Sequence, residues 1–162
     1  MKKIDKKLQV KIIKIILILV WMAIVFIFSS EDGTDSGNTS RGLTTMIVQI
    51  ISNKSIEENE ALIQTFETII RKLAHYTIYT IGGILIMNYA YTTDKSKKEK
   101  ILYSIAFGIS YAVTDELHQF FVPGRSARIF DVGIDTLGVT TGIVIYLVAR
   151  KLIDTAIKKT EE

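Results

Sequence analysis

The sequence predicts an all-α membrane protein: four transmembrane helices in a bundle, with an amphipathic helical segment in the first external connector. Three observations predict it. Hydrophobic residues make up 48% of the 162 residues and charged residues still make up 23%, so charge must be segregated from the apolar stretches. Long apolar runs do alternate with short charged ones, as in a polytopic membrane protein and unlike the dispersed pattern of a soluble bundle. Mean hydropathy is +0.29 with a single proline, and no strand-period alternation competes. The length suits one unit, so 1–162 reads as a single membrane domain.

The spans are expected at about 12–29, 73–91, 101–121 and 130–149. The first is interrupted only by Lys14, whose ammonium would snorkel to the interface. A basic start followed by an apolar run also describes a signal peptide. The segment ends Ile27-Phe28-Ser29-Ser30-Glu31 without an A-x-A-like cleavage signal, and further apolar runs follow, so the first helix is expected to be retained. The third run is short unless its helix continues through Asp115 to Phe121, as expected here. Lys2, Lys3, Lys6, Lys7 and Lys11, the Lys-rich connector at 94–100, and Arg150, Lys151, Lys158 and Lys159 fall on one side if there are four spans. The positive-inside rule then places both termini in the cytoplasm of a multi-pass protein of the cell membrane. A net charge of +3 distributed in this way needs no nucleic-acid partner.

The connectors at 29–72 and 114–131 are therefore external. Leu43, Met46, Ile47, Ile50 and Ile51 form a helical stripe suited to lying against the membrane or the bundle top. The stretch 33–39, rich in Gly, Ser, Asn and Asp, reads as flexible. Ser55 and Glu58 spell a capping box, after which Leu62, Phe66, Ile69 and Leu73 continue a stripe into the second span.

This topology gathers polar residues at the outer end. Arg71, His75 and Tyr79 share a face of the second span. On the third, Asp115, His118 and Gln119 share a face and Glu116 stands beside it. Asp131 and Asp135 lie one turn apart on the fourth, on the face that Gly138 and Gly142 extend. The last connector adds Pro123-Gly124-Arg125 and Arg128. Burying a charge at the centre of a bilayer costs on the order of 2.5–3.5 kcal/mol, so such groups usually face the bundle interior, pair, and mark a functional site. The plainer alternative is an ion-paired collar that fixes helix register. Of these residues His118 is the readiest to be merely solvated.

The absence of cysteine excludes disulfides, thiolate metal sites and a Cys nucleophile. The histidines and carboxylates offer an N/O donor set, but there is no H-x-x-x-H or H-E-x-x-H pair, so a hydrogen-bonded network without metal or other cofactor is expected. Ser29, Ser30 and Ser126 lack a nucleophile signature. Gly138 and Gly142 form a GxxxG, and Ser104, Gly108 and Ala112 a small-residue stripe, both suited to close helix contact. Gly82-Gly83 permits close approach or a kink.

The motifs Arg71-Lys72-x-x-His75-Tyr76-x-x-Tyr79, Asp115-Glu116-x-His118-Gln119-x-Phe121-x-Pro123-Gly124-Arg125 and Asp131-x-x-x-Asp135-x-x-Gly138-x-x-x-Gly142, with Phe28-Ser29-Ser30 at the end of the first span, form a set. In these motifs the chain resembles the VanZ-like family of bacterial membrane proteins. Two positions depart from the family pattern: Glu31 stands where Gln is common, and Asp135 where Asn is common. The aspartate keeps an acceptor oxygen but adds charge, which puts in doubt any role needing an amide donor at 135. The resemblance implies a cell-envelope protein, the family being named for a member associated with low-level resistance to the glycopeptide teicoplanin. Some relatives carry a phosphotransbutyrylase label, which finds no support in a chain without a soluble domain or phosphate-cradling Gly-rich loop.

Three functional readings follow. In the preferred one, the outer cluster of Arg71, His75, Asp115, Glu116, His118, Gln119, Arg125, Arg128, Asp131 and Asp135 binds a lipid head group, a cell-wall precursor or an antibiotic. A second makes the protein an intramembrane enzyme acting on a lipid-linked substrate, with His75 or a carboxylate as general acid or base. The third is a structural bundle whose 43–51 stripe docks a partner.

Overall fold

The computed structural model describes residues 5–30, 33–52, 55–125 and 128–161, with backbone alone at 33–40, 43 and 161. Lys2, Lys3, Glu31 and Ser126 lie outside the described residues. Five helices run in order: α1 Lys6–Ser30, α2 Gly33–Ile51, α3 Glu60–Ala90, α4 Lys97–Phe120 and α5 Ile129–Glu161. Among the described residues there is no strand. Two helices, Lys6–Ser30 and Ile129–Thr160, are long and apolar enough to cross a membrane.

Each helix outruns the apolar run that announced it, because polar residues continue a helix whose apolar part is already nucleated. α4 reaches Phe120 through Asp115 and Glu116, as expected. It starts early because Ser96 and Glu99 form a reciprocal capping box, in a segment read from the sequence as a charged connector. The carboxylate of Glu99 accepts from the backbone N–H and hydroxyl of Ser96 at 2.9 and 2.7 Å, and these bonds hold its pKa below the ordinary value.

Two expectations in the first connector need correction. The stretch 33–39, read as flexible, is the helical start of α2. Ser, Thr, Asp and Asn mark loops and helix starts alike, since their side chains serve unpaired backbone N–H groups in both. At the second site Ser55 Oγ does accept from the backbone N–H of Glu58 at 3.3 Å, but the residues there form turns and α3 begins at Glu60 after Asn59. α2 packs on the start of α3 through buried Thr44, Val48, Asn59 and Ile63. Met46, Ile50 and Ile51, at 63%, 82% and 69% exposure, face away from the bundle.

α3 is the central helix, in contact with all four others. Its closest partner is α5. A Cβ on Gly142 would run into the backbone carbonyl of Thr80, one on Gly83 into that of Val139, and one on Gly138 into that of Tyr76, so the GxxxG serves backbone contact as expected. Gly82 makes room for the ring of Trp21, so the glycine pair in α3 permits close approach on two sides. Trp21 donates from Nε1 to the Ile78 carbonyl at 2.8 Å and meets Tyr79 edge-on at 5.7 Å. Tyr111 donates to the Met22 carbonyl at 2.6 Å, fastening α4 to α1. Lys14 donates to the carbonyl of Asn88 at 2.9 Å, one of the carbonyls left without an intrahelical partner at the end of α3.

The burial pattern is inverted relative to a water-soluble bundle. Ser29, Ser104, Asp115, Glu116, Gln119 and Asp135 are buried, while Ile13, Leu19, Phe28, Leu102, Leu117 and Leu137 are each more than half exposed. Apolar side chains point outward from α1, α3, α4 and α5 alike.

Candidate functional site

The end of the bundle where α1 and α4 finish and α5 begins holds a cleft of about 270 Å³. α3 supplies Arg71, Lys72 and His75, α4 supplies Glu116 and Gln119, and α5 supplies Asp131 and Asp135. The intervening turn brings in Arg125 and Arg128. Gly124, at φ 73°, takes the left-handed conformation that Pro123-Gly124 was placed to make, and so turns the chain back over the cleft.

The cations lie shallower than Glu116 and Asp135. Arg71 and Arg128 are exposed at the rim, with Lys72 and Arg125 partly buried. Glu116 and Asp135 lie beneath them at 5% and 0% exposure. Glu116 Oε2 accepts from the backbone N–H of Arg128 at 3.0 Å and so pins the turn to α4. Arg125 donates to the Phe28 carbonyl at 2.8 Å and lies 3.4 Å from Gln119 Oε1, while Gln119 Nε2 contacts Ser29 Oγ at 3.3 Å and Asp115 Oδ2 at 3.1 Å. The end of α1 is thereby built into the wall. Lys72 Nζ meets Asp131 Oδ1 at 3.0 Å and sits over the Phe130 ring.

On the floor, His75 Nδ1 is 3.5 Å from Asp135 Oδ1. Asp115 stands behind them: one donor atom from each of His75, Asp115 and Asp135 can be chosen so that all lie within 4.8 Å of one another.

Nine of the ten residues singled out in the sequence meet at this cleft or directly behind it. His118 does not. Its ring stacks on Phe26 at 4.3 Å and its Nε2 lies 3.0 Å from Ser30 Oγ, facing α1. The reason is angular: a helix turns about 100° per residue, so residues 118 and 119 flank Asp115 on opposite sides and reach different neighbours. Sequence reasoning missed Lys72, Thr68 and Ile134, which line the cleft. Lys72 carried a signal, sitting beside Arg71 in a motif otherwise assigned to the site, whereas Thr68 and Ile134 carried none.

The VanZ/LLP1 family model matches residues 14–150. The chain belongs to the VanZ/LLP1 family. The match takes in every residue that lines the cleft, from Thr68 on α3 to Asp135 on α5, and Ser29 at the end of α1. The motifs that carried the resemblance are therefore one spatial unit: Phe28 and Ser29 touch Arg125 and Gln119, although some 90 residues separate them. No curated protein and no solved structure matches the chain.

Proposed function

We propose that this VanZ/LLP1 protein is a multi-pass protein of the bacterial cell envelope whose outer-end cleft binds the anionic head group of a lipid or lipid-linked cell-wall precursor. The arrangement of charge in the cleft carries this reading. Four cationic side chains, Arg71, Lys72, Arg125 and Arg128, gather at or near the mouth, where guanidinium groups are suited to bidentate contact with phosphate or carboxylate. Glu116 pins the turn that carries Arg128, and Asp131 pairs with Lys72.

The inverted burial pattern supports four spans, with α3 and α4 crossing beside α1 and α5. An apolar exterior on all four and polar groups inside is the order that lipid imposes. α4 is the least apolar of the four, with Asp115, Glu116, His118 and Gln119 in its last turns. Lys95, Lys97, Lys98, Lys100, Arg150 and Lys151 lie at the end remote from the cleft, which supports a cytoplasmic location for that end and both termini. The exposed stripe of α2 then rests on the outer leaflet. Glycopeptide resistance, the phenotype the family name carries, would follow from binding the antibiotic's target or the antibiotic itself at this outer face.

Native mass spectrometry of delipidated protein tests the binding. Phosphatidylglycerol is expected to be retained by the wild type in preference to phosphatidylcholine, and to be lost from Arg71→Ala and Arg128→Ala, whose exposed side chains do not hold the fold. Equal retention of both lipids, or retention unchanged in the variants, overturns the reading.

The pairing of His75 with Asp135 favours a second reading, an enzyme acting on a lipid-linked substrate. An imidazole backed by a buried carboxylate is fit for general acid–base work. A mass change in an offered lipid-linked phosphate, lost in His75→Gln, supports it, and unchanged substrates argue against it.

A further inference from the structure

We propose that His75, Asp115 and Asp135 form a divalent-cation site at the floor of the cleft, one ligand from each of α3, α4 and α5, suited to Zn²⁺ or Mn²⁺. The inference rests on the cleft being a ligand site and adds the metal to it.

The geometry is close to that of a coordination shell. Metal bonds of about 2.0–2.2 Å to N and O put neighbouring ligand atoms roughly 3–3.5 Å apart. Here they lie within 4.8 Å, so small rotamer adjustments close the shell. The donor set, one imidazole and two carboxylates, suits a borderline divalent ion. Two carboxylates also neutralise its charge when the imidazole is neutral.

The hydrogen bonding points the same way. Asp135 is fully buried, and its 3.5 Å contact with His75 Nδ1 lacks hydrogen-bond geometry, so among the described residues neither of its oxygens has a hydrogen-bond partner; Asp115 Oδ1 and His75 Nδ1 have none there either. Buried carboxylates are normally satisfied by several donors, and an unsatisfied one is costly. Among the nearby cations, Lys72 faces Asp131, and Arg125 reaches Phe28 and Gln119. The Tyr79 side chain is fully buried, with its hydroxyl beside Asp115 and Asp135. A phenol in that position would orient a ligating carboxylate from outside the coordination shell.

His75 and Asp135 also line the cleft, so the remaining coordination positions open toward its mouth. An oxygen of the anionic head group gathered by Arg71 and Arg128 would complete the shell. The protein thus presents a metal below and guanidinium groups above, the pair of contacts a phosphate takes. No spacing motif reveals such a site, because its ligands lie on three different helices.

The test uses full-length protein in detergent, stripped with EDTA, desalted, and titrated with Zn²⁺ or Mn²⁺ alone by calorimetry and elemental analysis. One equivalent per chain is expected, with affinity reduced at least about tenfold in Asp115→Asn and Asp135→Asn and unchanged in His118→Ala. No binding by the wild type, or binding lost in His118→Ala and kept in both Asn variants, overturns the site. Should the Asn variants fail to fold, Co²⁺ added to wild-type protein decides: strong visible bands of a four- or five-coordinate N/O site support it, and the faint spectrum of the hydrated ion overturns it. Phosphatidylglycerol retention measured in EDTA separates the two readings. Lipid kept without metal binding removes the metal alone; metal bound without lipid removes the head-group reading alone.

Discussion

Lys72 Nζ lies 3.0 Å from Asp131 Oδ1, joining α3 to α5 at the rim of the cleft with both side chains a little over a quarter exposed. Partial exposure keeps such a pair weak, with exposed pairs contributing about 0.2–1 kcal/mol. A double-mutant cycle with Lys72→Ala and Asp131→Asn, read by denaturant unfolding in detergent, should therefore give a coupling of about 0.5–1 kcal/mol that shrinks with added salt. Additive effects would show that the pair contributes nothing to stability.

The seam between α3 and α5 makes a sharper demand. Gly142→Ala forces its new methyl against the Thr80 carbonyl, and Gly83→Ala does the same against Val139. Neither obstacle is a flexible side-chain end, so each substitution should cost about 1–3 kcal/mol, as overpacking does. Gly133→Ala is the control. Among the described residues nothing lies within 4 Å of its added Cβ, and an alanine in a helix should leave stability unchanged or raise it by up to about 1 kcal/mol. Thermal unfolding of the three variants checks the order.

How much of this was legible in the sequence depended on the range of the signal. The apolar runs and the GxxxG are local patterns, and they located four of the helices and a close-contact face on α5, though not the helix that it meets. Ser96 to Glu99 was equally local and was overlooked because its lysines read as connector charge. The cleft was legible through topology: alternating spans put Arg71, Asp115, Arg125 and Asp131 at one end. Which way each side chain points within that end was not. Residue 118 lies nearer to Asp115 in sequence than residue 119 does, yet packing against Phe26 and Ser30 takes His118 to α1. The meeting of His75, Asp115 and Asp135 depends on three helix rotations at once, and no spacing within one helix encodes that.

α2 is docked on α3 partly through Arg41, whose Nη2 lies 2.7 Å from both carboxylate oxygens of Glu60. The guanidinium holds the Glu60 pKa below the ordinary glutamate value. A depressed folded-state pKa makes the contribution fully present above the unfolded pKa, and it is lost as pH falls through the folded one. Hydrogen exchange of the amides from 41 to 52 should accordingly speed up in acid below about pH 4, beyond the intrinsic pH trend. Glu60→Gln should show the faster exchange already at neutral pH and no further loss of protection on acidification.

The orientation of the bundle can be read without background labelling, because the chain has no cysteine of its own. Phe121, 80% exposed at the end of α4, marks the cleft end, and exposed Asp94 marks the turn between α3 and α4 at the other. With four spans and basic residues inside, Phe121→Cys should react with a membrane-impermeant maleimide added to intact cells, and Asp94→Cys should react only after permeabilisation. A cysteine added after Glu162 should behave like the one at 94. Labelling of 94 and 121 from the same side would mean that α4 does not cross, and the cleft would then lose the lipid-imposed reason for its buried charge.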